Sequence, residues 1–171
     1  MTSATPAASE LSPATTISLI PPEELRDHKT RLGYDYWRLL RGMRRFPSRD
    51  EISPRDIACV LPNMVLIRVL EGGKDFQYRI VGDHAGQGYG VDLRQRLYSD
   101  IALELPRAAA NWSRLSRRVV ESGEPLALLA SVGIGATDAK FSNAEAVYLP
   151  LGPHDNCVDH LVSFVKWELK R

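Results

Sequence analysis

The sequence predicts an α+β fold built on one antiparallel sheet, with two strands, a helical crossover and three further strands behind an amphipathic helix. Three observations carry this. Residues 64–71 and 76–81 are apolar, β-branched runs on either side of Gly72-Gly73-Lys74-Asp75, the pattern of a β-hairpin. Residues 99–122 place Leu105, Ala108, Ala109, Trp112, Leu115, Val119 and Val120 on one helical face, with Arg107, Arg114, Arg117 and Arg118 largely opposite. Residues 126–132, 145–151 and 161–169 then read as three strands.

Composition bounds the rest. A chain of 171 residues with 44% hydrophobic and 25% charged side chains is that of a globular protein, and one domain is the expectation at this length. A net charge of +1 gives no general drive toward nucleic acid or an anionic membrane. Cys59 and Cys157 form no metal-ligand spacing and are expected as free thiols. With no span-length apolar run and no signal-peptide pattern, the expected location is cytoplasmic.

In chain order, residues 1–22 are rich in Ser, Thr, Ala and Pro and are expected as a disordered tail ahead of a single domain, 23–171. A helix is expected over about 23–46, with Leu32, Tyr36, Leu39, Leu40 and Met43 as its stripe, widened by Tyr34 and Trp37, and Pro47 as its stop. That stripe is expected to cap the outer face of the sheet or to pair with a second copy in a homodimer. Ser53-Pro54 reads as the start of a short helix over 54–61.

The hairpin's period chooses its register. A four-residue loop pairs Glu71 with Phe76, Val69 with Tyr78 and Ile67 with Ile80. One face then carries Val65, Ile67, Val69, Phe76, Tyr78 and Ile80, and the other carries Arg68, Gln77 and Arg79. The segment GDHAGQGYG that follows has four glycines in nine residues and cannot hold a regular helix. Residues 133–144 are expected as a long mobile loop, and Pro150 marks a strand end or edge.

These residues carry a resemblance. YDYWRLLRGMRRFPSRDEISPRDI (34–57), LPNMVLIRVL (61–70), FQYRIVGD (76–83), GVDL (90–93) and the EAVYLPL run before the last strand together resemble a PAS domain. The likeness is closest to single-domain bacterial PAS proteins with a basic N-terminal helix. It implies a five-stranded antiparallel sheet in order 2-1-5-4-3. The Gly-rich segment and the long helix would cover one face, over an internal pocket. It also implies a sensory or regulatory role in signal transduction, through a small molecule or a partner protein, often as a dimer. The chain departs from the family pattern at Arg94-Gln95-Arg96, where such proteins usually have a glycine after the Asp-Leu pair.

The candidate pocket joins Tyr78 and Ile80 of the hairpin, His84 and Tyr89 of the Gly-rich segment, Trp112, Leu115 and Val119 of the long helix, and Val147 and Phe164 of later strands. The same residues describe a filled core equally well, and the sequence leaves both open. Haem is not supported, because the long helix lacks a histidine and His84 sits in a loop. Flavin photochemistry is not supported either, since Asp83-His84-Ala85-Gly86 stands where light sensors carry their cysteine. No nucleophile–base pair, metal cluster or complete phosphate loop is present, and Gly133-Ile134-Gly135 is only half a fingerprint, so catalysis is not expected. Two rival readings remain: a ligand-free adaptor of the same fold, and a nucleic-acid binder using Arg38, Arg41, Arg44, Arg45 and Arg49.

Overall fold

The computed structural model describes residues 15–133 and 139–171. Its centre is one antiparallel sheet of β1 (Thr15–Ile20), β2 (Met64–Leu70), β3 (Asp75–Val81), β4 (Leu126–Val132), β5 (Phe141–Leu151) and β6 (His160–Leu169). The order across the sheet is β1-β4-β5-β6-β2-β3. The sheet therefore has six strands and not the expected five. The five expected strands keep their relative order, and β1 is added outside β4.

That strand comes from the stretch expected to be a tail. Its six residues pair with β4 from Thr15↔Val132 to Ile20↔Ala127. An edge strand needs little apolar area of its own when its backbone groups find an open ladder. Ile17 and Ile20 still pack against the cores on opposite faces of the sheet. Residues 1–14 of the expected tail lie outside the described residues, as do residues 134–138 of the expected loop, with Ile134 and Gly135 of the half fingerprint among them. Strand β5 begins at Phe141, so the connection is shorter than expected.

The sheet is buried on both faces. Strand α-carbons alternate their side chains, so β5 sends Ala144, Ala146 and Tyr148 to one side and Glu145, Val147, Leu149 and Leu151 to the other. The first side packs under α2 (Tyr98–Ile101) and α3 (Pro106–Ser122). The second packs under α1 (His28–Arg41) and the turns that follow it. Pro150 is tolerated because β4 starts pairing at Tyr148, which leaves residues 149–151 without a neighbour on that side.

Helix α1 starts at Asp27, whose side chain accepts from the Lys29 backbone N–H at 2.8 Å. It ends at Gly42, with φ of +56°, before the expected stop at Pro47. The docked stripe differs from expectation. Thr30, Gly33, Tyr34 and Trp37 are buried, whereas Leu39 is 80% exposed and Met43 is fully exposed. Gly33 decides this rotation. A Cβ there would stand 2.3 Å from the Phe164 ring, so only a glycine lets α1 lie this close to β6.

Buried Glu145 then holds the start of α1. It accepts from the backbone N–H groups of Arg26 and Asp27, each at 2.9 Å, and from the Thr30 hydroxyl. A buried carboxylate at a helix N-terminus needs such donors, and here it has three. Trp37 completes the seat by donating its indole N–H to the Pro150 carbonyl at 2.8 Å.

Two expected helices change. Residues 54–60 form hydrogen-bonded turns, and only Leu61–Asn63 makes a short 3-10 turn. Seven residues between Pro54 and Pro62 are too few to propagate a helix. The expected helix over 99–122 is two helices, because Pro106 cannot continue α2 and holds Leu105 at φ −128°, ψ 65°. Pro106 instead opens α3 at its first position.

The hairpin loop has four residues, as expected, but they are Glu71–Lys74 rather than 72–75. Val69 pairs with Phe76 and Ile67 with Tyr78, a shift of two that preserves the faces. A bulge then breaks the period between Ile67↔Tyr78 and Leu66↔Ile80. The outer edge of β3 is covered by the turn at Arg94-Gln95-Arg96, where the Tyr78 N–H donates to the Arg96 carbonyl at 3.0 Å. Gln95 takes the left-handed conformation there, with φ of +62°, in the place of the usual glycine. Its amide Nε2 donates to the Arg79 carbonyl at 2.7 Å, which offsets the backbone cost.

The seat of α1 gives the first prediction. Gly33→Ala should destabilise the protein by about 2–3 kcal/mol in chemical denaturation, since overpacking outweighs the roughly 1 kcal/mol that alanine gains in a helix. Leu39→Ala on the same helix should cost less than about 1 kcal/mol. A stabilised Gly33→Ala protein would disprove the close approach.

A second prediction concerns pH. Arg44 grips Glu51 through both guanidinium nitrogens, at 2.9 and 2.7 Å, and the Ser48 N–H adds a bond at 2.7 Å. These partners hold the Glu51 carboxyl down at about 2, Arg44 being the larger cause. A depressed carboxylate stabilises the fold above its ordinary value and loses that contribution as pH falls toward 2. Glu51→Gln should therefore cost up to about 1 kcal/mol at pH 7, an exposed pair being well screened. The difference from wild type should shrink between pH 5 and pH 2; a difference that stays constant over that range would contradict the pairing.

Candidate functional site

Between the sheet and α3 lies a cavity of about 70 Å³. Its floor is the inward face of the strands: Val65 and Ile67 of β2, Ala144 and Ala146 of β5, and Val165 and Trp167 of β6. Its roof is Trp112 and Leu115 of α3, and its sides are Tyr89 of the Gly-rich segment and Thr15 and Ile17 of β1. No charged side chain is among the described residues that line it.

Aromatic edges build the walls. The Tyr89 ring meets Trp112, Phe141 and Trp167 edge-on, with centroids 4.9, 5.4 and 5.8 Å away. Tyr78 meets Trp112 edge-on at 5.9 Å. Edge-to-face pairs of this kind fix ring orientation and add stability beyond burial alone. The Gly-rich segment reaches this position because Gly88 lies against β6, where a Cβ would stand 2.6 Å from the Trp167 ring. The Trp167 indole N–H donates to the Ala85 carbonyl at 3.0 Å and pins the segment.

The phenols here are hard to ionise. Burial, and then the neighbouring Tyr98, push the Tyr78 hydroxyl well above its usual range. Burial pushes Tyr98 up to about 12, although its hydroxyl lies 3.4 Å from Ser116 Oγ. Tyr148 is raised as well, by burial first and then by Tyr98 and Tyr89. All three stay neutral at physiological pH, so the site offers hydroxyls and ring edges but no charge.

The sequence-derived candidates divide. Tyr78, Tyr89, Trp112 and Leu115 all line the cavity. Ile80 does not, because the bulge in β3 turns it outward, where it is 42% exposed. His84 is exposed on the loop and lies outside the lining. Val119 is fully buried beneath α3 but packs into solid core beside the cavity. Val147 and Phe164 belong to the opposite core, under α1, because their positions in β5 and β6 have the other parity.

Tyr148 and Ser163 were missed. The parity that places Val147 outward places Tyr148 inward, so the EAVYLPL run held this signal. Thr15 and Ile17 had none, since β1 is visible only through its pairing with β4.

Among the described residues, no three His, Cys, Asp or Glu side chains converge to hold a metal ion. None of the described helices is long and apolar enough to cross a membrane. The arginines of α1 and of the turn after it contact the protein's own rings and carbonyls. Arg38 and Arg41 lie over the Tyr34 and Trp37 rings at 5.6 and 5.2 Å. Arg45 donates to the carbonyls of Asp155 and Ser122 at 3.0 and 2.6 Å.

No curated protein and no solved structure matches the chain. The family model described as PAS domain does match, over residues 25–164, from just ahead of α1 into β6. That span takes in most of the chain and most of the cavity lining, and PAS domains are in general signal-sensing or regulatory modules. The chain belongs to the PAS domain family.

Proposed function

We propose that this chain is a non-catalytic PAS sensor of the cytoplasm, a single domain that takes one small uncharged molecule into the cavity and signals by docking to a partner. The observation that carries this reading is the uncharged, aromatic-edged cavity between the sheet and α3. It touches the two segments best able to report occupancy, the Gly-rich segment through Tyr89 and the edge strand β1 through Thr15 and Ile17. A ligand that prefers one arrangement of these segments shifts their population, and that shift is the signal. At about 70 Å³ the cavity is well below the roughly 300–1,000 Å³ of drug-sized ligand pockets, so the occupant is small.

The test is to fill the space. Ala146 lines the cavity, so Ala146→Val should fold at a cost below about 1–3 kcal/mol and abolish any rise in Tm that a small molecule gives the wild type. Native mass spectrometry of protein from its own cells should show the retained ligand. Strong destabilisation by Ala146→Val, with no molecule raising the wild-type Tm, would replace the sensor with a ligand-free adaptor.

A homodimer through α1 accompanies this reading. Of the stripe Leu32, Tyr36, Leu39, Leu40 and Met43, the seat on Phe164 leaves Leu39 and Met43 exposed, whereas Leu32 and Tyr36 pack at the edge of the core under α1. Pairing of two such stripes would cover them, and PAS domains commonly dimerise. Leu39→Glu with Met43→Glu should convert a dimer to a stable monomer in sedimentation. An unchanged mass would exclude this face. The contacts of Arg38, Arg41 and Arg45 with the protein's own rings and carbonyls support leaving nucleic acid out of the proposal.

A further inference from the structure

We infer that the ligand is a neutral molecule of a few heavy atoms bearing a carbonyl or hydroxyl oxygen, and that the Tyr148 and Ser163 hydroxyls hold that oxygen. This rests on the small-molecule reading above and names the chemistry of its ligand. Tyr148 and Ser163 are direct partners across β5 and β6, and both line the cavity. Directly opposed residues on one face hold their Cβ atoms roughly 5 Å apart, so the two side chains flank the same stretch of the cavity.

Neither hydroxyl hydrogen-bonds to a described residue. Ser163 is nonetheless 96% buried, its exposure being 4%. Among the described residues, no fully enclosed side-chain nitrogen or oxygen lacks a partner. The two hydroxyls therefore keep accessible surface, and the space they line is the cavity. Two other polar groups of the wall are engaged elsewhere. The Asn111 Oδ1 accepts from Arg114 at 3.4 Å, and the Trp167 indole donates to the Ala85 carbonyl at 3.0 Å.

The ligand's character follows. A hydroxyl both donates and accepts, so a pair of them suits a carbonyl or hydroxyl oxygen. With no charged side chain in the lining, an ion would lose its hydration without replacement, which excludes carboxylates and amines in their charged forms. The remaining wall of Val65, Ile67, Leu115 and Ala146 asks for a short hydrocarbon body.

The experiment compares 2-butanone with 2-methyl-1-butene, an isostere in which a methylene replaces the carbonyl oxygen. Both are titrated into the full chain and followed by amide and methyl chemical shifts of cavity residues. Tyr148→Phe and Ser163→Ala, each keeping the shape of its site, are titrated beside the wild type. Each substitution should lower the ratio of ketone to isostere affinity by roughly three- to tenfold, the weight of one neutral hydrogen bond. A ratio unchanged in both variants, with both probes still moving cavity resonances, would overturn the assignment of these hydroxyls and leave the cavity as an apolar sensor site. If neither probe moves those resonances in the wild type, the assignment and the sensor reading fall together.

Discussion

A strand that is covered on both sides has no neutral face, and the whole molecule is arranged around that constraint. Residues 144–149 of β5 and 161–165 of β6 belong either to the core under α1 or to the side under α3, and parity alone assigns them. The core under α1 is tightly packed where the helix is seated. Gly33 brings the helix backbone onto the Phe164 ring, Glu145 holds its first turn, and Trp37 is tied to the Pro150 carbonyl. The other side is looser, because rings meeting at their edges around Tyr89 leave a gap that aliphatic side chains would have filled. One solid face and one hollow face make a frame against which occupancy can be felt.

The hollow face is also where the backbone is least regular. The Gly-rich segment is held through the Trp167 indole at Ala85 and the Lys140 N–H at Gly88, and β1 is an edge strand that pairs with β4 only. Segments held by few bonds open at lower free energy than the strands beneath them. The same residues that close the cavity are thus the ones whose position a ligand can bias. Helix α1 is on the far side of the sheet, and its outward stripe is the surface to which such a bias could be passed through β5 and β6.

Much of this was legible in the residues, and the failures have particular causes. Tyr78, Trp112 and Leu115 line the cavity, a position legible in the residues because hairpin and helix periods are local properties of the chain. Ile80 was misplaced because one extra residue in β3 inverts every side chain beyond it, and nothing in FQYRIV announces a bulge. Val147 and Phe164 were assigned to the wrong face because strand parity is relative: which side faces α3 depends on packing that the run itself does not state. The α1 stripe was misjudged for a related reason. Leu39 and Met43 are the more apolar side chains, but a helix docks where it fits closest, and Gly33 fits. Glu145 did carry a signal, as a lone acid sharing the parity of Val147, Leu149 and Leu151. Strand β1 carried none, because its partner lies more than a hundred residues away.

The central claim is that one face of the sheet is solid and the other hollow, and a crystal held under xenon pressure tests it most directly. Xenon enters small apolar cavities without needing a specific chemical partner. The account predicts a xenon site bounded by Val65, Leu115, Ala146 and Trp112, with none between α1 and the sheet. No xenon beneath α3, or a site beside Phe164 under α1, would contradict it.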